Sequence, residues 1–201
     1  MSEPSLVILI PTIGRYNALR RLLNSIRLSA VHPAAVYLLD SSSSLVPFDR
    51  TPYPFMIRQE YLPGHSLTQA RNRGIQLIGE SARFVCFLDD DVILLPGALE
   101  TMMAFWQTAA PDVGGACFNI VDSVDSRRFW RMTRLFCISD NRPGAVLRSG
   151  FQTPLGNLTR DTFTRWLPGG VSVWRREVFD RYLFDRELPG YGYIEDVDFS
   201  Y

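Results

Sequence analysis

The sequence predicts a single α/β domain: a mainly parallel sheet sandwiched between helices. Short uninterrupted apolar runs recur, Leu6-Val7-Ile8-Leu9-Ile10, Val36-Tyr37-Leu38-Leu39 and Phe84-Val85-Cys86-Phe87-Leu88. A run without alternation is how a strand buried on both faces reads. Segments with apolar residues at helical spacing lie between these runs. Acidic residues follow two of the strands directly, Asp40 and Asp89-Asp90-Asp91. Right-handed crossovers gather such strand ends on one edge, where ligands of open α/β sheets bind.

The first strand stops at Pro11-Thr12. Leu19, Leu22, Leu23 and Ile26 then mark the buried stripe of a helix opposite its arginines, with Asn17 as its cap. Residues 45–54 carry three prolines and read as a loop, with a weaker third strand over residues 55–58. Ser66, with Gln69 three residues on, is a capping-box signature for a helix over residues 66–78, ended by Gly79. Pro96 opens a helix over residues 96–106 at its first turn. Residues 113–121 are strand-like. Residues 122–165 mix arginine, aromatics, proline and glycine without a clear period. A glycine pair, Gly169-Gly170, precedes a short strand over residues 171–174, and residues 175–182 read as a helix. A loop with Pro189, Gly190 and Gly192 leads into Ile194-Glu195-Asp196-Val197-Asp198.

Composition narrows the class. The 201 residues suit one domain with a real core. Lys plus Arg and Asp plus Glu are equal at 21 each, so no general attraction to nucleic acid is expected. No apolar run approaches the roughly 20 residues of a membrane span, and the N-terminus reads as the start of a strand rather than a signal peptide. Cys86, Cys117 and Cys137 form no Cys-x-x-Cys pair; they read as small buried hydrophobes in a reducing cytoplasm.

Asp89-Asp90-Asp91 is the sharpest chemical signal. Neighbouring carboxylates repel, by roughly 4 kcal/mol per close pair at an effective dielectric of 20. At the end of a buried strand that repulsion calls for a compensating cation. Hard oxygen ligands suit magnesium or manganese, which bridge to substrate phosphates. A solvated acidic turn is the alternative, ranked lower because the strand is so apolar. Asp40 suits either an Asx-turn or a hydrogen bond from a nucleobase. In Arg71-Asn72-Arg73-Gly74, arginine suits bidentate phosphate contact, with an exposed helical face as the other reading. His65, just before the helix start, is as good a loop or ligand-edge residue as a catalytic one, and His32 reads as an ordinary loop residue. Glu195-Asp196 offers a carboxylate whose pKa burial would raise, suiting a general base; acids favouring a helix N-terminus account for it equally. The glycine pair permits close backbone approach to a ligand or is a plain turn. Residues 127–134, rich in arginine and aromatics, read first as a partly buried helix with snorkelling arginines, and otherwise as a face toward a membrane or an anionic acceptor.

Taken in order, Val7-Ile8-Leu9-Ile10-Pro11-Thr12, Leu39-Asp40-Ser41-Ser42, Ala70-Arg71-Asn72-Arg73-Gly74, Phe87-Leu88-Asp89-Asp90-Asp91 with Pro96, Gly169-Gly170 and Glu195-Asp196 resemble family 2 of the glycosyltransferases. The resemblance covers essentially the whole chain and is most specific over residues 70–100. It implies a GT-A (Rossmann-like) fold, with residues 1–121 as the nucleotide-sugar half and 122–201 as the acceptor half. It implies a sugar passed, mostly with inversion, from a nucleotide-diphosphate donor to a saccharide or lipid-linked acceptor. Cell-surface polysaccharide synthesis in the cytoplasm, in peripheral contact with a membrane's inner face, would be the setting. Pro11, Thr12 and Asp40 would line the nucleotide pocket, Asp40 near the base, and Arg71 would contact the nucleotide or its diphosphate. Asp89, Asp90 and Asp91 resemble the DXD-type motif. Asp91, with Asp89, would hold Mn2+ or Mg2+, and Asp90 would lie near the ribose or sugar. Gly169 and Gly170 would border the sugars, and Asp196 resembles the catalytic base of the family's ED pair, with Glu195 beside it.

The family's second half usually runs on past the ED pair, whereas this sequence stops at Tyr201. The sequence reads as a truncated or fragmentary member or as a compact one, without a downstream metal ligand, acceptor helix or membrane segment. The Gln-x-x-Arg-Trp motif of processive members is absent, and Arg165-Trp166 lies upstream of its place. Two other readings compete: a silent nucleotide-sugar-binding or scaffolding module, and a different phosphate enzyme. The latter has neither a Gly-x-x-x-x-Gly-Lys loop nor any lysine to clamp a phosphate.

Overall fold

A computed structural model describes residues 5–80, 82–121, 142–188, 192 and 194–201. Its elements run β1 (Leu6–Thr12), α1 (Tyr16–Arg27), β2 (Ala35–Asp40), β3 (Met56–Tyr61), α2 (Leu67–Leu77), β4 (Phe84–Leu88), α3 (Ala98–Thr108), β5 (Gly115–Cys117), β6 (Val171–Arg175), a 3-10 helix (Arg176–Asp180) and α4 (Glu195–Ser200). The strands form one six-stranded sheet of order β3-β2-β1-β4-β6-β5. β1 pairs in parallel with β2 and β4, and β2 with β3, while β6 runs antiparallel to both β4 and β5. The expected mainly parallel α/β sheet between helices is the observed architecture.

The apolar runs explain the layering. Alternate residues of each central strand point to opposite faces. Ile8, Ile10, Leu38, Cys86 and Leu88 join the core beneath α1 and α3. Val7, Leu9, Leu39, Val85 and Phe87 join a second core with α2 and the 3-10 helix. Leu19, Leu22, Leu23 and Ile26 are all fully buried, each contributing about 1.5–3 kcal/mol of transfer free energy. On the other face Gly74 brings α2 down onto the sheet. A Cβ there would lie 2.8 Å from Leu39 Cδ1 and 2.9 Å from Leu9 Cδ1.

Several boundaries differ from expectation. Asn17 does not cap α1; the helix begins at Tyr16 behind Arg15, with no side-chain cap. Pro96 is not inside α3. It starts a type II turn in which Ala98 N–H donates to Leu95 C=O at 3.0 Å and Gly97 takes φ 82, so the helix begins at Ala98. The strand expected over residues 113–121 shrinks to Gly115–Cys117, the stretch that pairs with β6. Residues 175–182 do not form an α-helix: Arg175 stays in β6 opposite Phe84, and a 3-10 turn follows. Gly79 lies beyond a helix end at Leu77, and Ile78 leaves in extended conformation. The Ser66–Gln69 capping box is present with both of its hydrogen bonds. No helix among the described residues is long and apolar enough to cross a membrane. The basic-aromatic stretch of residues 127–134 and Cys137 lie outside the described residues.

Candidate active site

The register gathers the strand ends. Thr12 pairs with Asp40, and Leu9 with Phe87. Continuing the β1–β4 register by three residues sets Thr12 beside Asp90, and Thr12 Oγ1 donates to Asp90 Oδ2 at 2.6 Å. Because β6 is antiparallel, it enters the sheet at this same edge. Val171 faces Leu88, and Asp89 N–H donates to Gly170 C=O at 2.9 Å.

The three aspartates differ in setting. Asp90 is fully buried, and Asp91 is exposed. Burial pushes the Asp90 carboxyl above the ordinary range, against the Thr12 hydrogen bond and the Arg15 charge. Asp90 Oδ1 lies 2.6 Å from Arg15 Nη2 as an ion pair, yet it receives no well-directed hydrogen bond. Asp89 is pushed up by burial and by the nearby charges of Asp91 and Asp196, against the pull of Arg71 and Arg15. Asp91 bonds Arg15 Nη1 at 2.8 Å.

Arg71 enters from α2 with 1% of its surface exposed. The motif splits as helical geometry requires. Arg71 and Asn72 turn inward, and Arg73 turns outward to Glu60 at 2.8 Å. Arg71 Nη1 hydrogen-bonds Glu195 Oε1, and Nη2 lies 3.5 Å from Asp89 Oδ1. Its guanidinium also sits over the rings of Phe184, at 5.3 Å, and Phe87, at 5.7 Å. Asn72 clamps the backbone of Phe184 in both directions, at 2.8 and 3.0 Å. Burial raises the Glu195 pKa, against Arg71 and reinforced by Asp196.

The glycine pair closes the gap. A Cβ on Gly170 would fall 2.0 Å from Asp89 Oδ2, and one on Gly169 would fall 2.6 Å from Arg71 Nη1 and 2.9 Å from Glu195 Oε1. Gly169 N–H points toward Asp196 Oδ2 at 3.5 Å. Residues 89–91, 169–170 and 195–196 therefore meet at one place.

Asp40 is fully buried in its own network. It accepts from Ser42 N–H at 3.1 Å, from the Ser42 hydroxyl, from Tyr16 Oη at 2.8 Å and from Gln59 Nε2 at 2.9 Å. Burial pushes its carboxyl up, but these hydrogen bonds outweigh it and hold the pKa below the ordinary value. The Asx-turn and the buried strand-end acid are thus the same residue.

Concavity and charge do not coincide. A cleft of about 560 Å³ lined by His65, Gln69, Arg73, Gln76 and Arg186 lies on the outer side of α2, and none of the aspartates borders it. The converging carboxylates define the site, because ion binding needs ligating oxygens more than volume. His32 sits in a loop, its Nε2 3.3 Å from Arg27 C=O. Cys86 is fully buried, and burial raises the Cys117 thiol to about 11, as inert thiols require.

Sequence reasoning missed Arg15, Tyr16, Gln59, Asn72 and Phe184. Each acts through a partner far along the chain. Only two carried a positional signal: Arg15, closely following the Pro11-Thr12 strand end, and Asn72, inside the Arg71-Asn72-Arg73-Gly74 motif but without a role of its own.

Among the described residues, no three of His, Cys, Asp and Glu are placed to grip one ion together. The donor set fits the other mode of Mg2+ or Mn2+ binding, in which one or two carboxylates share the ion with substrate phosphates. The close approach of Gly170 to Asp89, which leaves no room for a side chain beside that carboxylate, agrees with it.

A mostly parallel sheet with acids at its carboxyl edge, crossed there by an antiparallel strand, is the GT-A architecture. The family model described as "Glycosyl transferase family 2" matches residues 7–183, and the chain belongs to that family. Among solved structures it is similar to S. aureus TarS 1-349, with a TM-score of 0.58 and 15% identity over 98% of this chain and 54% of that one. It is also similar to the mannosyltransferase PcManGT from Pyrobaculum calidifontis in complex with GDP-Man and Mn2+, with a TM-score of 0.54 and 17% identity over 94% and 49%. GalNAc-T7 with UDP, GalNAc and Mn2+ has a TM-score of 0.66 and 14% identity over 100% and 40%. At such identities the likeness is one of fold. The chain spans only about half the length of these structures, or less. No curated protein matches it.

Proposed function

We propose that this protein transfers a sugar from a nucleotide-diphosphate donor to a hydroxyl acceptor, with inversion at the sugar carbon. Residues 1–121 hold the donor, and residues 122–201 present the acceptor. Pro11, Thr12 and Asp40 line the nucleotide pocket, with Asp40 near the base. Asp91, with Asp89, holds Mn2+ or Mg2+, and Asp90 lies near the ribose or sugar. The ion, when bound, supplies charge compensation for the departing diphosphate.

Arg71 holds Asp89 and Glu195 in place and offers its charge toward the diphosphate. Gly169 and Gly170 let the sugar approach the backbone. Asp196 takes the proton of the acceptor hydroxyl as that oxygen attacks, and Glu195 braces it from the adjacent position. The transition state resembles an oxocarbenium ion, as in glycoside hydrolysis. The reaction belongs in the cytoplasm, against the inner face of a membrane when the acceptor is lipid-linked, in the synthesis of cell-surface polysaccharide.

One observation carries the reading. Acids from β4 and α4, about a hundred residues apart, meet across a glycine pair that a single Cβ would block. The PcManGT and GalNAc-T7 structures, which contain Mn2+ with nucleotide or nucleotide sugar, lend weight to the ion and donor.

The test is Mn2+-dependent release of nucleoside diphosphate from a panel of sugar nucleotides, abolished in Asp91→Ala. Tight metal-dependent nucleotide binding without turnover would instead make the protein a silent binding module.

A further inference from the structure

Arg15 spans two members of the aspartate run with one planar group. Its Nη2 lies 2.6 Å from Asp90 Oδ1, its Nε donates to Asp90 Oδ2 at 3.2 Å, and its Nη1 donates to Asp91 Oδ2 at 2.8 Å. The backbone that carries it is pinned on both sides. Gly14 N–H donates to Ser42 Oγ at 2.8 Å, and Tyr16 Oη to Asp40 at 2.8 Å. The side chain itself is 47% exposed, and that of Asp91 is 55% exposed, so both have room to move while Asp90 does not.

A guanidinium and a divalent cation seek the same carboxylate oxygens and repel each other. An ion taken up by Asp91 therefore competes with Arg15, whose Nη1 holds Asp91 Oδ2, and weakens that contact by like-charge repulsion. The released group stays tethered three residues beyond Thr12, at the edge where the nucleotide is proposed to lie. Its fork geometry suits phosphate oxygens as well as carboxylates.

We propose that Arg15 is a resident counter-ion. It pairs with Asp90 and Asp91 in the donor-free protein and exchanges Asp91 for the donor's diphosphate when ion and nucleotide arrive together. Arg15 is then a positioning residue that couples two binding events. The ion alone meets a competitor, whereas the ion with nucleotide gives that competitor a new partner. The inference rests on the metal-assisted reading above.

Two measurements on the intact protein test it: Mn2+ binding followed by electron paramagnetic resonance, and UDP and GDP binding followed by calorimetry. In the native protein the nucleotide tightens Mn2+ binding by about fivefold or more. Arg15→Gln tightens Mn2+ binding to the nucleotide-free protein by a similar factor, about fivefold. It also weakens nucleotide binding in the presence of Mn2+, and the coupling shrinks. Arg15→Lys, which keeps the charge but loses the fork, lies between the two. Unchanged or weaker Mn2+ binding in nucleotide-free Arg15→Gln overturns the proposal. Should that variant fail to fold, full native coupling in Arg15→Lys overturns it instead. If the native protein binds no nucleoside diphosphate of the sugar-nucleotide panel with Mn2+, the metal-assisted function itself has failed, and the exchange falls with it.

Discussion

Arg71, in the second turn of α2, and Glu195, the first residue of α4, stand 124 residues apart and share a buried, hydrogen-bonded ion pair. The same guanidinium reaches Asp89, so one arginine ties the end of β4 to the start of α4. Removing it strands a buried carboxylate. Arg71→Met is expected to cost about 3–5 kcal/mol in urea unfolding. Arg71→Met combined with Glu195→Gln should recover part of that loss, because the stranded charge is gone. If the double variant were no more stable than Arg71→Met alone, the pair would not be the source of the cost.

Gly170 tests the closeness of backbone and aspartate. An added Cβ would overlap Asp89 Oδ2, so in Gly170→Ala either Asp89 swings away or β6 shifts. With the strand registered against Leu88, the half-exposed aspartate is the part that yields. The expected result is a modest loss of stability, about 1–3 kcal/mol. Metal-dependent nucleotide binding should fall by roughly tenfold, equivalent to about 1.4 kcal/mol. Calorimetry showing native affinity would mean that the position of Asp89 does not matter to the ligand.

Asp196→Asn separates chemistry from binding. A lost general base costs about 10²–10⁴ in turnover, while donor affinity should stay close to native. Glu195→Gln should act through stability instead, since Glu195 is committed to Arg71. Near-native turnover in Asp196→Asn would remove Asp196 from the base role.

Asp40 gives a pH signature of predictable sign. Its folded pKa lies below the unfolded value, which is about 3.9. Its contribution is therefore fully present above about pH 4 and is lost as pH falls through the lower folded value. Asp40→Asn should cost about 1–3 kcal/mol at neutral pH, and its urea midpoint should fall less steeply below pH 4 than that of the native protein. Parallel curves for the two proteins would show that the carboxylate's ionisation does not stabilise the fold.

Much of the frame was legible in the sequence. Strands buried on both faces announce themselves as unbroken apolar runs, as in Phe84–Leu88. The Ser66–Gln69 pair located the start of α2 because capping is a local interaction. Asp89 to Asp91 and Gly169-Gly170 stood out by composition alone. Less legible were features decided by partners remote in sequence. Asn17 looks like a cap, but the Tyr16–Asp40 and Gly14–Ser42 hydrogen bonds fix the turn before α1. Pro96 looks like a first helical residue, but Pro96-Gly97 spends itself on a turn first. Arg15 is one of 21 arginines, and only the β1–β4 register shows that it faces Asp90. Phe184 lies in a segment without periodicity and gains its place through Asn72.

The insertion of β6 between β4 and β5 bears on how the protein is made. β4 pairs with β1 on one side, but its other edge is covered only by residues 83 to 91 positions later, from Leu88 with Val171 to Phe84 with Arg175. At ordinary rates of synthesis the ribosome takes on the order of ten seconds to deliver them. Throughout that interval an apolar strand presents open backbone groups, the kind of edge that recruits other chains. The aspartates at its tip likewise wait for the backbone that will hold them, so a nascent chain carries an open strand edge and its unfinished site in the same place.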